Sequence, residues 1–182
     1  LICKVKEPIP EEWRYYQPHH VLFSYLHLAA YPGLTEFLLR EKLTALAFET
    51  YTIGTRELPL LQPMSKIAGR VGMLAAVQQL QKPSGGIGQL ISGLGRVDAA
   101  KVVVVGAGNV GKEAARVALG LGADVILFDQ YEPALEQASL DLAGFPEGTL
   151  QVEIFNQTSF QESISNANII VGAVLLPGGK AP

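Results

Sequence analysis

Four consecutive valines at residues 102–105 run directly into Gly106-Ala107-Gly108-Asn109-Val110-Gly111, after which Val110, Ala114, Val117, Ala118 and Leu121 recur at helical spacing. A short run that is apolar throughout fits a strand buried on both faces, and the spaced apolar residues fit a helix lying along that sheet. Joining the two so abruptly requires a turn of very small residues. With 19 glycines among 182 residues the turn pattern alone says little, but strand, turn and helix in this order are what a dinucleotide fingerprint requires. Each glycine then has its own task. Gly106 permits the tight turn, Gly108 lets backbone approach a pyrophosphate, and Gly111 lets the helix pack closely on the strand. Asn109 and Val110 open a helix whose unpaired amides and partial positive charge face the phosphates, so they join the three glycines as expected cofactor contacts.

The following strand, expected over residues 124–128, delivers Asp129 to its carboxyl end. A carboxylate there can accept hydrogen bonds from adenosine ribose hydroxyls, which selects NAD over NADP: a 2′-phosphate would meet its negative charge, and neither Gln130 nor Tyr131 supplies a cation. Gly172-Ala173-Val174-Leu175 follows the last strand. A sheet of this order places the nicotinamide end of the cleft there, which makes Val174 and Leu175 candidate contacts; the alternative is an ordinary buried strand end.

The rest of the chain reads as α/β. Residues 1–5 are a short apolar stretch closed by Lys6-Glu7-Pro8, where proline ends any strand. Residues 21–26 read as a strand with His27 at its carboxyl end, Pro32-Gly33 as a turn, residues 34–42 as a helix and 43–48 as a strand ahead of Glu49. Strand, helix and strand make a βαβ unit, and hence a parallel sheet with cleft residues gathered at the carboxyl ends of its strands. After a break at residues 59–63, a long helix over 65–81 reads as an interdomain connection, and the Gly-rich segment to Gly95 as a loop or short strand. Beyond the glycine turn, helices are expected at 133–142 and 160–166 and strands at 151–155 and 169–172. The fold class is therefore a Rossmann-type doubly wound parallel sheet plus part of a second, Rossmann-like substrate domain. The expected division is 1–60 for the partial substrate (catalytic) domain and 61–182 for the NAD-binding domain with its leading helix, cut short at its C-terminus.

Composition narrows the function classes. Hydrophobic residues make up 48% and charged residues 17%, with a formal net charge of -3. No run of Lys or Arg marks a nucleic-acid or anionic-membrane surface. The longest apolar stretches fall well short of the about 20 residues a membrane helix needs. Cys3 is the only cysteine and no signal peptide is visible, so a reducing, cytoplasmic setting is expected. His19-His20 suggests a metal pair, but adjacent strand residues would point to opposite faces and no acidic or cysteine ligands accompany them, so no metal is assigned. The chain opens at Leu1 and stops just after a Gly-rich loop, and reads as cut at both ends.

Five separated motifs, Lys4-Val5-Lys6-Glu7-Pro8, Tyr25-Leu26-His27-Leu28-Ala29-Ala30, Pro63-Met64-Ser65, residues 106–111 and residues 172–178, resemble in order and spacing the alanine dehydrogenase family. The resemblance runs the length of this chain and about half that of a full family member. It implies a two-domain, homo-oligomeric (hexameric) enzyme that reversibly deaminates L-alanine to pyruvate and ammonia with NAD. It further implies that Lys6 is the substrate-binding lysine, that His27 is the catalytic histidine and that Ser65 contacts the cofactor. Lys6 could hold a carboxylate or polarise a developing carbonyl, and an imidazole titrating near neutrality could exchange the reaction's protons. Read without the resemblance, Lys6 is more often a surface lysine at a strand end and His27 more often a satisfied core residue, while the alternative for Ser65 is a helix N-cap. The family's substrate-binding arginine and its acid-base aspartate fall outside this sequence. Three other readings compete: the NAD(H)-binding module of a proton-translocating transhydrogenase, to which the Leu-His-Leu-Ala-Ala element is foreign; an opine-type or lysine-pathway reductase; and a non-catalytic NAD-binding remnant.

Overall fold

In the computed structural model, which describes residues 1–54 and 57–175, the apolar runs of the first third become parallel strands. They are β1 (Ile2–Cys3), β2 (Val21–Ser24) and, after helix α1 (Pro32–Arg40), β3 (Thr44–Ala47), paired in the order β1-β2-β3. The chain divides into two units, Leu1–Met64 and Ser65–Pro182.

In the first unit, Leu22, Leu26, Leu34, Phe37 and Leu38 are buried together, and Trp13 stacks on Phe37 with ring centroids 4.7 Å apart. Two expectations shift here. Pro32-Gly33 is the start of α1 rather than a turn before it, because proline at the first helical position lacks only an amide that would have no partner anyway and already has helical φ. β2 ends at Ser24, not at residue 26: the Tyr25 amide still donates to the Val5 carbonyl, but those of Leu26 and His27 turn away and donate to the Glu49 side chain. Glu49 lies in a short 3-10 turn, Phe48–Thr50, which also ends the expected third strand early. His19 and His20 sit in the turn before β2 and not in a strand. Their rings meet edge to face at 4.4 Å, and His20 Nδ1 accepts from the Gln17 amide, so the reasoning from opposite strand faces does not apply to them.

Helix α2 (Gln62–Leu80) begins three residues before the expected start at Ser65. A 3-10 turn at Lys82–Ser84 ends it, and the Gly-rich segment that follows is loop, held by one bridge between Leu94 and Val97. The second unit then alternates strictly: β4 (Lys101–Val105), α3 (Asn109–Gly120), β5 (Asp124–Asp129), α4 (Glu132–Asp141), β6 (Thr149–Ile154), α5 (Gln157–Ser165) and β7 (Ile169–Gly172). All pairings are parallel, in the order β6-β5-β4-β7. Successive strands step outward from β4 on one side, and β7 then returns to its other side. That reversal is the topological switch point of a doubly wound sheet, beside which such folds bind ligands.

On one face of this sheet Val102, Val104, Val125 and Leu127 pack against Ala114, Ala118 and Leu119 of α3 and Leu135 and Ala138 of α4. Elsewhere, Phe128 is fully buried against Phe155 and Phe160, with ring centroids 6.4 and 5.7 Å away. α2 lies across the first turn of α3. A Cβ on Gly69 would come within 2.2 Å of the Val110 carbonyl oxygen, and one turn of α3 further on, the mostly buried Glu113 pairs with Arg70 at 2.6 Å. No helix among the described residues is long and apolar enough to cross a membrane. Removing the Phe128 ring leaves a hole beneath the strand that carries Asp129, so Phe128→Ala is expected to destabilise the second unit by about 3–5 kcal/mol, measured by denaturant titration.

Candidate functional site

The glycine turn occupies the switch point. Gly106 follows β4 with φ 107°, a left-handed conformation, and its amide donates to the Phe128 carbonyl at 2.7 Å. On the other side the Ala173 amide donates to the Val105 carbonyl at 2.8 Å, and a Cβ on Gly106 would lie 2.7 Å from the Ala173 carbonyl oxygen. Only glycine satisfies both demands. A Cβ on Gly111 would lie 1.8 Å from the Gly106 carbonyl oxygen, so its missing side chain is what lets α3 start against the end of β4. Gly108 differs from both: it is exposed, and a Cβ there would meet nothing within 4 Å. The space over the turn is therefore open to a ligand that approaches the backbone.

Gly108 is the N-cap of α3 and offers no side-chain cap, whereas Asn156 caps α5 by accepting from the amides of Thr158 and Ser159. The first amides of α3, Asn109 and Val110 among them, thus meet no capping side chain where an anionic phosphate would gain most from them. Asp129, at the end of β5, accepts from the Ala107 amide at 2.6 Å through one carboxylate oxygen and from the Tyr131 amide at 2.9 Å through the other. It therefore braces the glycine turn, a task the sequence did not reveal, and each oxygen retains a lone pair with which to accept a ribose hydroxyl. Val174 is half-buried and Leu175 exposed just past β7; Leu176, Pro177 and Gly178, the rest of that motif, lie outside the described residues. Ser65 is inside α2 rather than at its N-cap, one turn before the Gly69 contact with α3. The open turn, the uncapped helix and the acceptor at the end of β5 fit the pyrophosphate and adenosine ribose of a dinucleotide.

In the first unit the carboxyl ends of three parallel strands bring together Lys6 and Glu7, His27, and Glu49. Lys6 is exposed, and its carbonyl lies 3.2 Å from the fully buried Ser24 hydroxyl, which donates to the Tyr25 carbonyl at 2.7 Å. His27 Nδ1 lies 3.1 Å from Glu7 Oε2, and the His27 ring stacks on Tyr25 with centroids 5.8 Å apart. The imidazole is therefore not a core residue: its side chain is 44% exposed, against 15% for Glu7. Hydrogen bonding to its backbone holds the Glu7 carboxyl below the usual carboxylate range, opposed by partial burial and aided by the His27 hydrogen bond and the Lys6 charge. Sequence reasoning singled out neither Glu7 nor Glu49. The signal was present, since each follows an apolar run that becomes a strand of one parallel sheet.

Two measurements test these assignments. Gly111→Ala is expected to lower the thermal midpoint sharply, because the carbonyl it meets is backbone; Gly108→Ala should leave the midpoint within a degree or two while weakening NADH binding in a fluorescence titration, since its methyl enters the open space. For Glu7 the sign follows from a pKa lower in the folded than in the unfolded chain. The ionised form adds stability above the ordinary carboxylate pKa, and this is lost as pH falls through the lower folded value. Glu7→Gln should therefore flatten the acid limb of a stability-against-pH curve from denaturant titrations.

Two profiles of one family match the sequence: "Alanine dehydrogenase/PNT, N-terminal domain" over residues 1–68 and "Alanine dehydrogenase/PNT, C-terminal domain" over residues 72–182. The chain is 44% identical over all 182 residues to the alanine dehydrogenase of Bacillus subtilis (strain 168), covering 47% of that protein. It is 43% identical over its full length to the alanine dehydrogenase of Methanococcus maripaludis, covering 48%. A solved L-alanine dehydrogenase superposes with a TM-score of 0.84 at 42% identity, over 98% of this chain and 48% of that one. A transhydrogenase from Sinorhizobium meliloti shares the fold, with a TM-score of 0.75 at 24% identity, over 99% of this chain and 51% of that one. The chain spans about half the length of the curated relatives it matches. With both profiles matched in series and relatives above 40% identity over the full length of the sequence, the chain belongs to the alanine dehydrogenase/PNT family.

Proposed function

We propose that this chain forms part of an NAD-dependent alanine dehydrogenase, contributing the dinucleotide turn and part of the substrate site. The reaction is reversible oxidative deamination of L-alanine to pyruvate and ammonia. The observation that carries the proposal is the 44% identity to a curated alanine dehydrogenase along the entire chain, through the segments that hold Lys6, His27 and the glycine turn. The open approach at Gly108 and the acceptor at Asp129 support NAD as the cofactor. Val174, Leu175 and Ser65 are assigned to the same cofactor. Assembly as a homo-oligomer in the cytoplasm belongs to the same reading.

NAD, when bound, supplies the acceptor for the hydride that leaves the alanine Cα. Lys6 offers an exposed ammonium to the substrate carboxylate, fixing which end of the amino acid faces the histidine. As the C–H electron pair departs, the amine loses a proton and a C=N bond forms. Water then adds to that carbon, and breaking the C–N bond releases ammonia and leaves the ketone of pyruvate. In this reading His27 accepts a proton from the attacking water and returns one to the departing nitrogen.

The transhydrogenase reading shares only the fold at 24% identity. The test is NADH formation from L-alanine and NAD at alkaline pH, using this chain and a version extended at both ends to the length of its relatives. Turnover in the extended protein, falling by about 100-fold or more in His27→Ala, is the expected result for loss of a general acid-base group. NADH binding without alanine turnover in either version would overturn the proposal in favour of a transhydrogenase module, and full activity in His27→Ala would remove that residue from the chemistry.

A further inference from the structure

His27 is held in a conformation its own sequence does not favour. Its φ of 46° lies in the left-handed region, which is uncommon for a residue with a Cβ and costs energy that the surroundings must offset. The offset comes from Glu49. One carboxylate oxygen accepts from the His27 amide at 2.7 Å and from the Leu26 amide at 3.1 Å, and the second oxygen lies 3.3 Å from the Leu26 amide. Two successive amides converge on one anion because the chain turns at this point. The Cα–Cβ direction of His27 is thus set by a side chain from the end of β3. Tyr25, on which the ring stacks, is itself tied by its hydroxyl to the Leu60 carbonyl at 2.5 Å.

The ring carries a second constraint. Glu7 Oε2 lies 3.1 Å from Nδ1, and an ionised carboxylate can only accept. The contact is a hydrogen bond only if Nδ1 bears the hydrogen, which in a neutral imidazole leaves the lone pair on Nε2. An unconstrained histidine side chain prefers the opposite tautomer. His20 provides the contrast within this same unit: its Nδ1 accepts from the Gln17 amide at 3.0 Å, which demands the hydrogen on Nε2.

We infer that Glu7 is a positioning residue that locks His27 in the Nδ1–H tautomer and so presents Nε2 as the proton-accepting atom, with Glu49 holding the backbone turn that aims it. The tautomer assignment stands on geometry alone; its consequence for turnover rests on the reading of His27 as the acid-base group. Losing the carboxylate leaves the imidazole present but in the wrong protonation pattern for a base at Nε2, a loss the charged partner of a catalytic-triad histidine also guards against.

The experiment is nitrogen-15 NMR of the whole chain labelled at histidine, recorded on the basic side of the ring titrations. Only three histidines contribute, and His27 is identified by the signals missing in His27→Gln. The expected spectrum shows His27 with a protonated Nδ1 and an unprotonated Nε2, and His20 with the reverse. In Glu7→Ala, His27 should shift to the Nε2–H form while His20 stays unchanged, which also reports that the unit remains folded. His27 already in the Nε2–H form in the unaltered chain overturns the assignment whether or not the variant folds, and so does an Nδ1–H form that survives in Glu7→Ala. In the extended enzyme the same variant should lower kcat rather than raise KM for alanine. A fully active His27→Ala enzyme alongside the expected spectra would remove the catalytic role and leave the tautomer lock in place.

Discussion

The absent side chain at Gly111 governs the geometry of the second unit. Because nothing separates its Cα from the Gly106 carbonyl, α3 begins directly against the end of β4, and its first amides point over the open face at Gly108. The buried valines of β4 hold the strand at the centre of the sheet, between β5 and β7, so the turn inherits a rigid platform on both flanks. From β5 comes Asp129, whose carboxylate grips the Ala107 amide; from β7 comes Ala173, whose carbonyl leaves no room for a Cβ at Gly106. The turn is thus fixed by two backbone contacts and one carboxylate, and left open at Gly108. α2 adds a further brace, since Gly69 brings it onto the Val110 carbonyl and Arg70 compensates the charge of Glu113 beneath it.

The first unit solves a related problem with charges instead of glycines. Parallel pairing puts the carboxyl ends of β1, β2 and β3 on one edge, so residues far apart in sequence become neighbours without any further folding device. Glu7 reaches His27 across 20 residues and Glu49 across 22. Both acids act on the same histidine, one through the ring and one through the backbone. An imidazole at an exposed strand end would otherwise sample several rotamers and both tautomers. Two fixed acceptors confine it, at the cost of one residue in the left-handed region.

Membership of the alanine dehydrogenase/PNT family fits both arrangements. In one unit a glycine turn sits at the switch point; in the other, a lysine and a histidine stand past neighbouring strand ends. The chain covers about half the length of its curated relatives.

Much of this was legible from the residues. Four valines followed by G-x-G-x-x-G and an amphipathic stripe have one common solution, because burial on both faces, a tight turn and a helix packed at close range each restrict the chain locally. The elements from β4 to β7 followed from that periodicity with end shifts of a few residues, and Lys6 and His27 were recognisable as strand-end residues. What the sequence could not show depends on contacts between distant segments. β2 stops short of residue 26 because Glu49 takes the amides of Leu26 and His27; Asp129 braces a turn that lies a helix and a strand before it in sequence. Local propensity is set by neighbours along the chain, so the sequence alone determined the order and kind of the elements. The partners of a carboxylate are set by which strand ends the sheet brings together, so only the tertiary structure decided that Glu7 and Glu49 hold His27 and that Asp129 holds the glycine turn.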